Sequence, residues 1–245
     1  MGLFDLFKKK GEPAKPSERE LQRLERLVGS KLSQNIDRQE AIEALSRMGT
    51  RESAAALLKR FDWQLDPSIT DQEEKEACLR AIVAVGEEAL EPVRAYCQRA
   101  ESLMWPIKVL KGIVSGEALT DELLALLDRY DTEYIRNPEP KVQLITELAE
   151  HKTDEVRTAV EPFLQDASEP VRFAAVTTLF SIGSEHSIPA LVAALDEEES
   201  RRVKNRIAQG LQQHGWVIPE ELREVCARGL TEEYRLTDGR VVPAR

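Results

Sequence analysis

The chain has 245 residues, and 34 Lys plus Arg against 44 Asp plus Glu give a formal net charge of −10. With 42% hydrophobic and 32% charged residues, a buried core is expected and long disorder is excluded, while the acidic excess makes nucleic acid a disfavoured partner. Apolar runs such as 188–195 are too short to cross a bilayer, and three scattered cysteines fit neither a disulfide framework nor a zinc site, as expected of a cytoplasmic protein.

Residues 1–16 read as a flexible tail. Leu3, Phe4, Leu6 and Phe7 precede three lysines, and a Gly/Pro-containing linker follows. This order suggests a docking motif for a partner groove, or weak contact of residues 1–10 with an anionic membrane surface. It differs from a signal peptide, whose positive charges come first. It also lacks the Ser or Thr that a myristoylation site needs, since Leu6 stands there. A helix is predicted next, from Glu18 to about Leu32, opened by a Ser17/Glu20 capping box. Leu21, Leu24, Leu27 and Val28 form its apolar stripe, as suits a capping helix at the end of a repeat stack.

Six helical hairpins are predicted after it, at about 36–61, 72–100, 102–129, 138–165, 168–195 and 199–229. Four segments align without gaps on a closing glycine: Asp37–Gly49, Glu74–Gly86, Val171–Gly183 and Val203–Gly215. Their second position is always basic: Arg38, Lys75, Arg172 and Lys204. The fifth is Ala41, Cys78, Ala175 and Ile207, and the eighth is Ala44, Ala81, Thr178 and Gly210. The ninth is always a large aliphatic: Leu45, Ile82, Leu179 and Leu211. Positions five, eight and nine share one helical face. Small residues there let a neighbouring helix approach, and the aliphatic fills the space between layers. The glycine ends the helix in a left-handed cap. A second apolar-periodic helix follows each, and Asp62, Asp128, Asp166 and Asp196 close four of the repeats.

Two hairpins depart from this pattern. In the third, Trp105-Pro106 requires a helix start or a kink, and Thr120 with Asp121 and Glu122 reads as the start of the second helix. In the fourth, Pro162 falls inside the second helix, where a bend is expected. Two inter-repeat loops are long, 62–71 and 131–137. Residues 231–245 read as a tail or small β-hairpin, turned at Asp238-Gly239 and needing the last repeat to pack against.

The run Glu169-Pro170-Val171-Arg172-Phe173-Ala174-Ala175, then Ile182-Gly183 and Ile188-Pro189-Ala190-Leu191, resembles the HEAT-repeat family, in particular its bacterial branch with phycobilin-lyase-type repeats. The resemblance implies an all-α fold, a right-handed α-α superhelix or HEAT-like solenoid of about six hairpins. It also implies a ladder between repeat-ending acids and the next repeat's base, here Asp166 with Arg172 and Asp196 with Lys204. Some relatives are enzymes, but their signatures are not matched. The pairs Glu150-His151 and Glu185-His186 reverse the iron-binding order of the hydroxylases in this superfamily. The glycosylases need a basic groove, which the net charge opposes. No cysteine has the basic neighbourhood of a nucleophile. No metal or cofactor is therefore expected.

The expected function is a non-catalytic protein-interaction scaffold, with a lyase-type or metal-dependent enzyme subunit as the alternative. The partner is a protein of unknown identity, and oligomeric state is not legible. Second helices should line the binding face, with Lys59, Arg60, Arg94, Arg99 and Arg129 as candidate contacts. The alternative site is the long-loop edge with Trp63, Asp66, Trp105, Tyr134 and Arg136.

Overall fold

A computed structural model describes residues 17–244. They fall into two compact units, 17–96 and 97–244. The candidate docking residues Leu3, Phe4, Leu6 and Phe7 lie outside the described residues.

In the first unit, α1 (Glu18–Val28) packs on α2 (Asn35–Met48) and α3 (Arg51–Leu58). Ser17 Oγ accepts from the Glu20 N–H, satisfying one of the donors that a helix start leaves open. The helix stops at Val28, earlier than predicted: the Gly29 N–H caps the Glu25 carbonyl, and Ser30 Oγ then takes the Leu32 N–H. Leu24 and Val28 are buried, as the stripe required, whereas Leu32 is exposed. A short 3-10 turn (Lys59–Asp62) extends α3. Next, α4 (Ser68–Val85) starts four residues before the predicted 72, which shortens the first long loop. A second 3-10 turn (Gly86–Ala89) leads into α5 (Leu90–Cys97), whose last residue begins the second unit.

The second unit contains α6 (Met104–Ile113), α7 (Gly116–Leu127), α8 (Glu139–Leu148), α9 (Asp154–Val160), α10 (Glu169–Ile182), α11 (Ile188–Glu197), α12 (Arg201–His214) and α13 (Arg223–Gly229). The first helices α8, α10 and α12 pack in series. So do the second helices α11 and α13, with α7 against α9. This is a two-layered stack of hairpins, with each hairpin burying its neighbour's apolar side. All six predicted hairpins are present.

The aligned positions take the environments their residue types demand. Positions five and nine are buried in all four segments. At position eight, Thr178 donates to the Ile145 carbonyl at 2.7 Å, tying α10 to α8 without leaving a buried hydroxyl unpaired. Gly210 is required there for space: a Cβ would lie 2.2 Å from the Phe180 ring. The closing Gly49, Gly183 and Gly215 adopt the left-handed conformation. Gly86 instead has ψ of −145° and opens the 3-10 turn.

Trp105-Pro106 does sit in the first turn of α6, where the missing N–H breaks no helical bond. The predicted start of α7 at Thr120 is corrected to Gly116. Thr120 is buried inside the helix, its hydroxyl 3.2 Å from the Gly116 carbonyl and 2.7 Å from His151 Nδ1. At Pro162 the α-helix gives way to a 3-10 turn (Glu161–Gln165), because proline supplies no donor for the next helical bond.

The chain ends in an antiparallel hairpin, β1 (Tyr234–Thr237) with β2 (Arg240–Pro243). Asp238 and Gly239 both have positive φ, as a type I′ turn requires. The hairpin is packed: β2 lies on α12, Val241 is buried, and the Ile218 N–H reaches the Gly239 carbonyl at 2.7 Å.

Candidate functional site

Charged residues in this protein are used in two ways, and the difference locates the candidate site. In the first unit they form a buried cluster. Glu74 accepts from Arg38 Nε and Nη2 (2.9–3.1 Å) and from Arg60 Nε (2.7 Å). Arg60 also reaches Asp71 at 2.7 Å and the Trp63 carbonyl at 3.1 Å, with its guanidinium 3.8 Å from the Trp63 ring centre. Lys75 completes the cluster on Asp71 at 2.8 Å. Burial raises the Asp71 carboxyl, but hydrogen bonds from Lys75 and Arg60 outweigh it and hold the group below the usual carboxylate range. The cluster ties α2, α4 and the 3-10 extension of α3 together.

In the second unit the same task falls to pairs. Lys141 and Asp166 are fully buried and 2.7 Å apart. Arg172 makes two hydrogen bonds to Glu198, at 2.7 and 2.8 Å. Arg228 does the same to Asp196, at 2.8 and 2.5 Å. The expected ladder is not formed: Lys141 and Arg172 pair with the acids that end their own hairpins, and of these pairs only Arg228–Asp196 links one hairpin to the next. Arg172 reaches only the backbone carbonyl of Asp166, whose carboxylate is taken by Lys141 and the Ser168 N–H. Asp196 pairs with Arg228, not Lys204.

Of the four repeat-closing aspartates, three are engaged: Asp62 accepts from the Tyr96 hydroxyl at 2.8 Å, and Asp166 and Asp196 hold their bases. Asp128 has no such partner among the described residues. It stands on the rim of a groove of about 760 Å³ between α7 and α9. From α7 come Asp121, Leu124, Ala125 and Asp128, spaced three, four and seven apart and so on one face. The opposite face carries Leu119, Leu123 and Leu126, all buried, and the buried Leu127 lines the groove from between the two faces. From α9 and its 3-10 extension come Glu155, Ala159, Pro162 and Phe163. The turn after α7 closes one end with Tyr130, Asp131 and Thr132, pinned where Thr132 accepts from the Ala167 N–H at 2.9 Å. The floor is apolar, the rim carries four carboxylates, and no lysine or arginine lines it. Burial raises the Tyr130 phenol, only partly offset by Arg129, so it stays a neutral donor.

The sequence-predicted contacts are scattered by comparison. Arg60 is fully buried in the cluster and Trp105 is 5% exposed, so neither is available to a partner. Trp63 is half-buried beneath Arg60. Lys59 is half-buried, 3.9 Å from Glu25. Asp66, Arg94, Arg99, Arg129, Tyr134 and Arg136 are exposed, and none of them lines the groove. The groove's acids were legible as a stripe opposite the leucines of α7, but reading the second helices for bases passed over them.

Among the described residues no three His, Cys, Asp or Glu side chains stand close enough to hold a metal. All three cysteines are buried, which pushes the thiols of Cys78 and Cys97 up to about 12 and that of Cys226 to about 11. His186 is exposed near Asp154, and His214 stacks on Phe180 and Trp216. No described helix is long and apolar enough to cross a membrane.

Stacked hairpins, a glycine-closed first helix and buried ion pairs between repeats define an all-α repeat protein. Residues 120–212 match the family described as HEAT repeats, and residues 37–62 match that described as PBS lyase HEAT-like repeat. The chain therefore carries HEAT-type repeats over both matched segments. The search of curated proteins finds no match.

Proposed function

We propose that this HEAT-repeat chain is a non-catalytic, cytoplasmic protein-interaction scaffold of bacterial type, and that the groove between α7 and α9 is where its protein partner docks. The observation that carries this reading is the groove itself: an apolar floor on the open face of two second helices, with ionised side chains that no internal partner neutralises. Repeat stacks hold such surfaces rigid, because each hairpin is fixed by its neighbours. The burial of the thiols, whose pKa values it pushes well above neutrality, disfavours them as nucleophiles.

The test is affinity capture with the full-length chain and with Ala125→Trp, which fills the groove from the exposed face of α7. A protein retained by the wild type and lost by the variant is the expected result. Equal capture by both, or specific capture by neither, refutes the groove as the docking site.

A further inference from the structure

We propose that the occupant of the α7–α9 groove is a basic amphipathic segment of a partner protein, with large apolar side chains interleaved with lysine or arginine. This rests on the scaffold reading above and adds the chemistry of the partner.

The floor selects the apolar half of the ligand. Leu124, Pro162 and Phe163 line it with hydrocarbon, the Phe163 ring being buried with Lys141 Nζ 6.0 Å from its centre. A volume of about 760 Å³ accommodates several side chains but not a folded domain. The rim selects the charged half. Asp121, Asp128 and Glu155 are exposed and have no cationic partner among the described residues, and Asp131 takes only the Glu133 N–H, at 3.1 Å. Four carboxylates around one concavity repel each other and any acidic ligand, and a cationic segment relieves both effects. The spacing fits a helix or strand: Asp121 and Asp128 are two turns apart on α7, about 10 Å along its axis, so cations one or two turns apart on a helical ligand meet them while the apolar side chains between point at Leu124. The net charge of −10 adds long-range attraction of the same sign.

The experiment is fluorescence anisotropy on the full-length chain with three labelled synthetic peptides of equal length. One alternates leucine and lysine, one replaces its lysines by glutamate, and one keeps the lysines but replaces its leucines by serine. Only the first is expected to bind. Its affinity should fall about tenfold or more in the double variant Asp128→Lys, Glu155→Lys, and should weaken as salt shortens the screening length. Both substitutions are on exposed positions, and an unchanged urea midpoint confirms that the variant is folded. Binding of the glutamate peptide, equal binding of the serine peptide, or an affinity unaffected by the double variant overturns the proposal. If no peptide binds while cellular capture remains sensitive to Ala125→Trp, the basic occupant is wrong and the scaffold reading stands.

Discussion

The buried cluster around Glu74 and the groove around Asp128 are built from the same residue types with opposite results. In the cluster, three cations and two carboxylates satisfy one another within 3.1 Å, and nothing is left for a ligand. In the groove, four carboxylates face outward without a base on the lining. A charge held by partners fastens hairpins together, whereas one left without them is available for recognition. The cost of removing each should differ accordingly.

The largest effect is expected from Glu74→Ala, which leaves Arg38 buried without a carboxylate and Arg60 with Asp71 as its remaining one. Uncompensated buried charges of this kind cost about 3–5 kcal/mol, read as a fall in the urea midpoint, with no loss of peptide binding in the surviving folded protein. A midpoint near that of the wild type would show that the cluster is solvated in solution. Gly210→Ala comes next. Its new methyl lands 2.2 Å from the ring of Phe180, and overpacking of this sort costs about 1–3 kcal/mol. Thermal unfolding measures it, and an unshifted Tm would mean that α10 and α12 part easily.

Acid acts on the structural pairs through their depressed carboxyl groups. The Asp71 carboxyl is held low as described above, and burial of Glu198 is likewise outweighed by the Arg172 hydrogen bonds. Groups with depressed folded pKa values contribute stability above the ordinary carboxylate value of about 4, and that contribution drains away as pH falls through the lower folded value. Stability should therefore fall below about pH 4. A pH profile of unfolding tests this, and loss of stability well above pH 5 would contradict it. The smallest effect on stability is expected from Asp128→Asn, within about 0.5 kcal/mol as for other surface changes. The same substitution should measurably weaken the basic peptide, and a strongly destabilised Asp128→Asn would place that carboxylate with the structural ones.

How much of this was legible beforehand follows the range of the forces involved. The hairpins could be placed because a 3.6-residue period and a closing glycine are local signals, and the Asp238-Gly239 turn because positive φ is a local demand. Helix ends were less legible: α1, α4 and α7 all began or stopped about four residues from the expected place, and the N-cap positions of α4 and α7, Pro67 and Ser115, make no side-chain cap that would mark the start. The site was misread because Arg60 and Trp105 look like surface contacts until the fold buries them.

The sequence by itself determined that this is an all-α repeat protein, which segments pair as hairpins, and which side of each first helix is buried. Only the tertiary structure decided that Lys141 takes Asp166, that Arg172 takes Glu198, and that the acids of α7 and α9 meet across a groove. Periodicity is written along the chain, but an ion pair 25 residues apart depends on where two helices come to rest and on which carboxylate is already engaged when the base arrives.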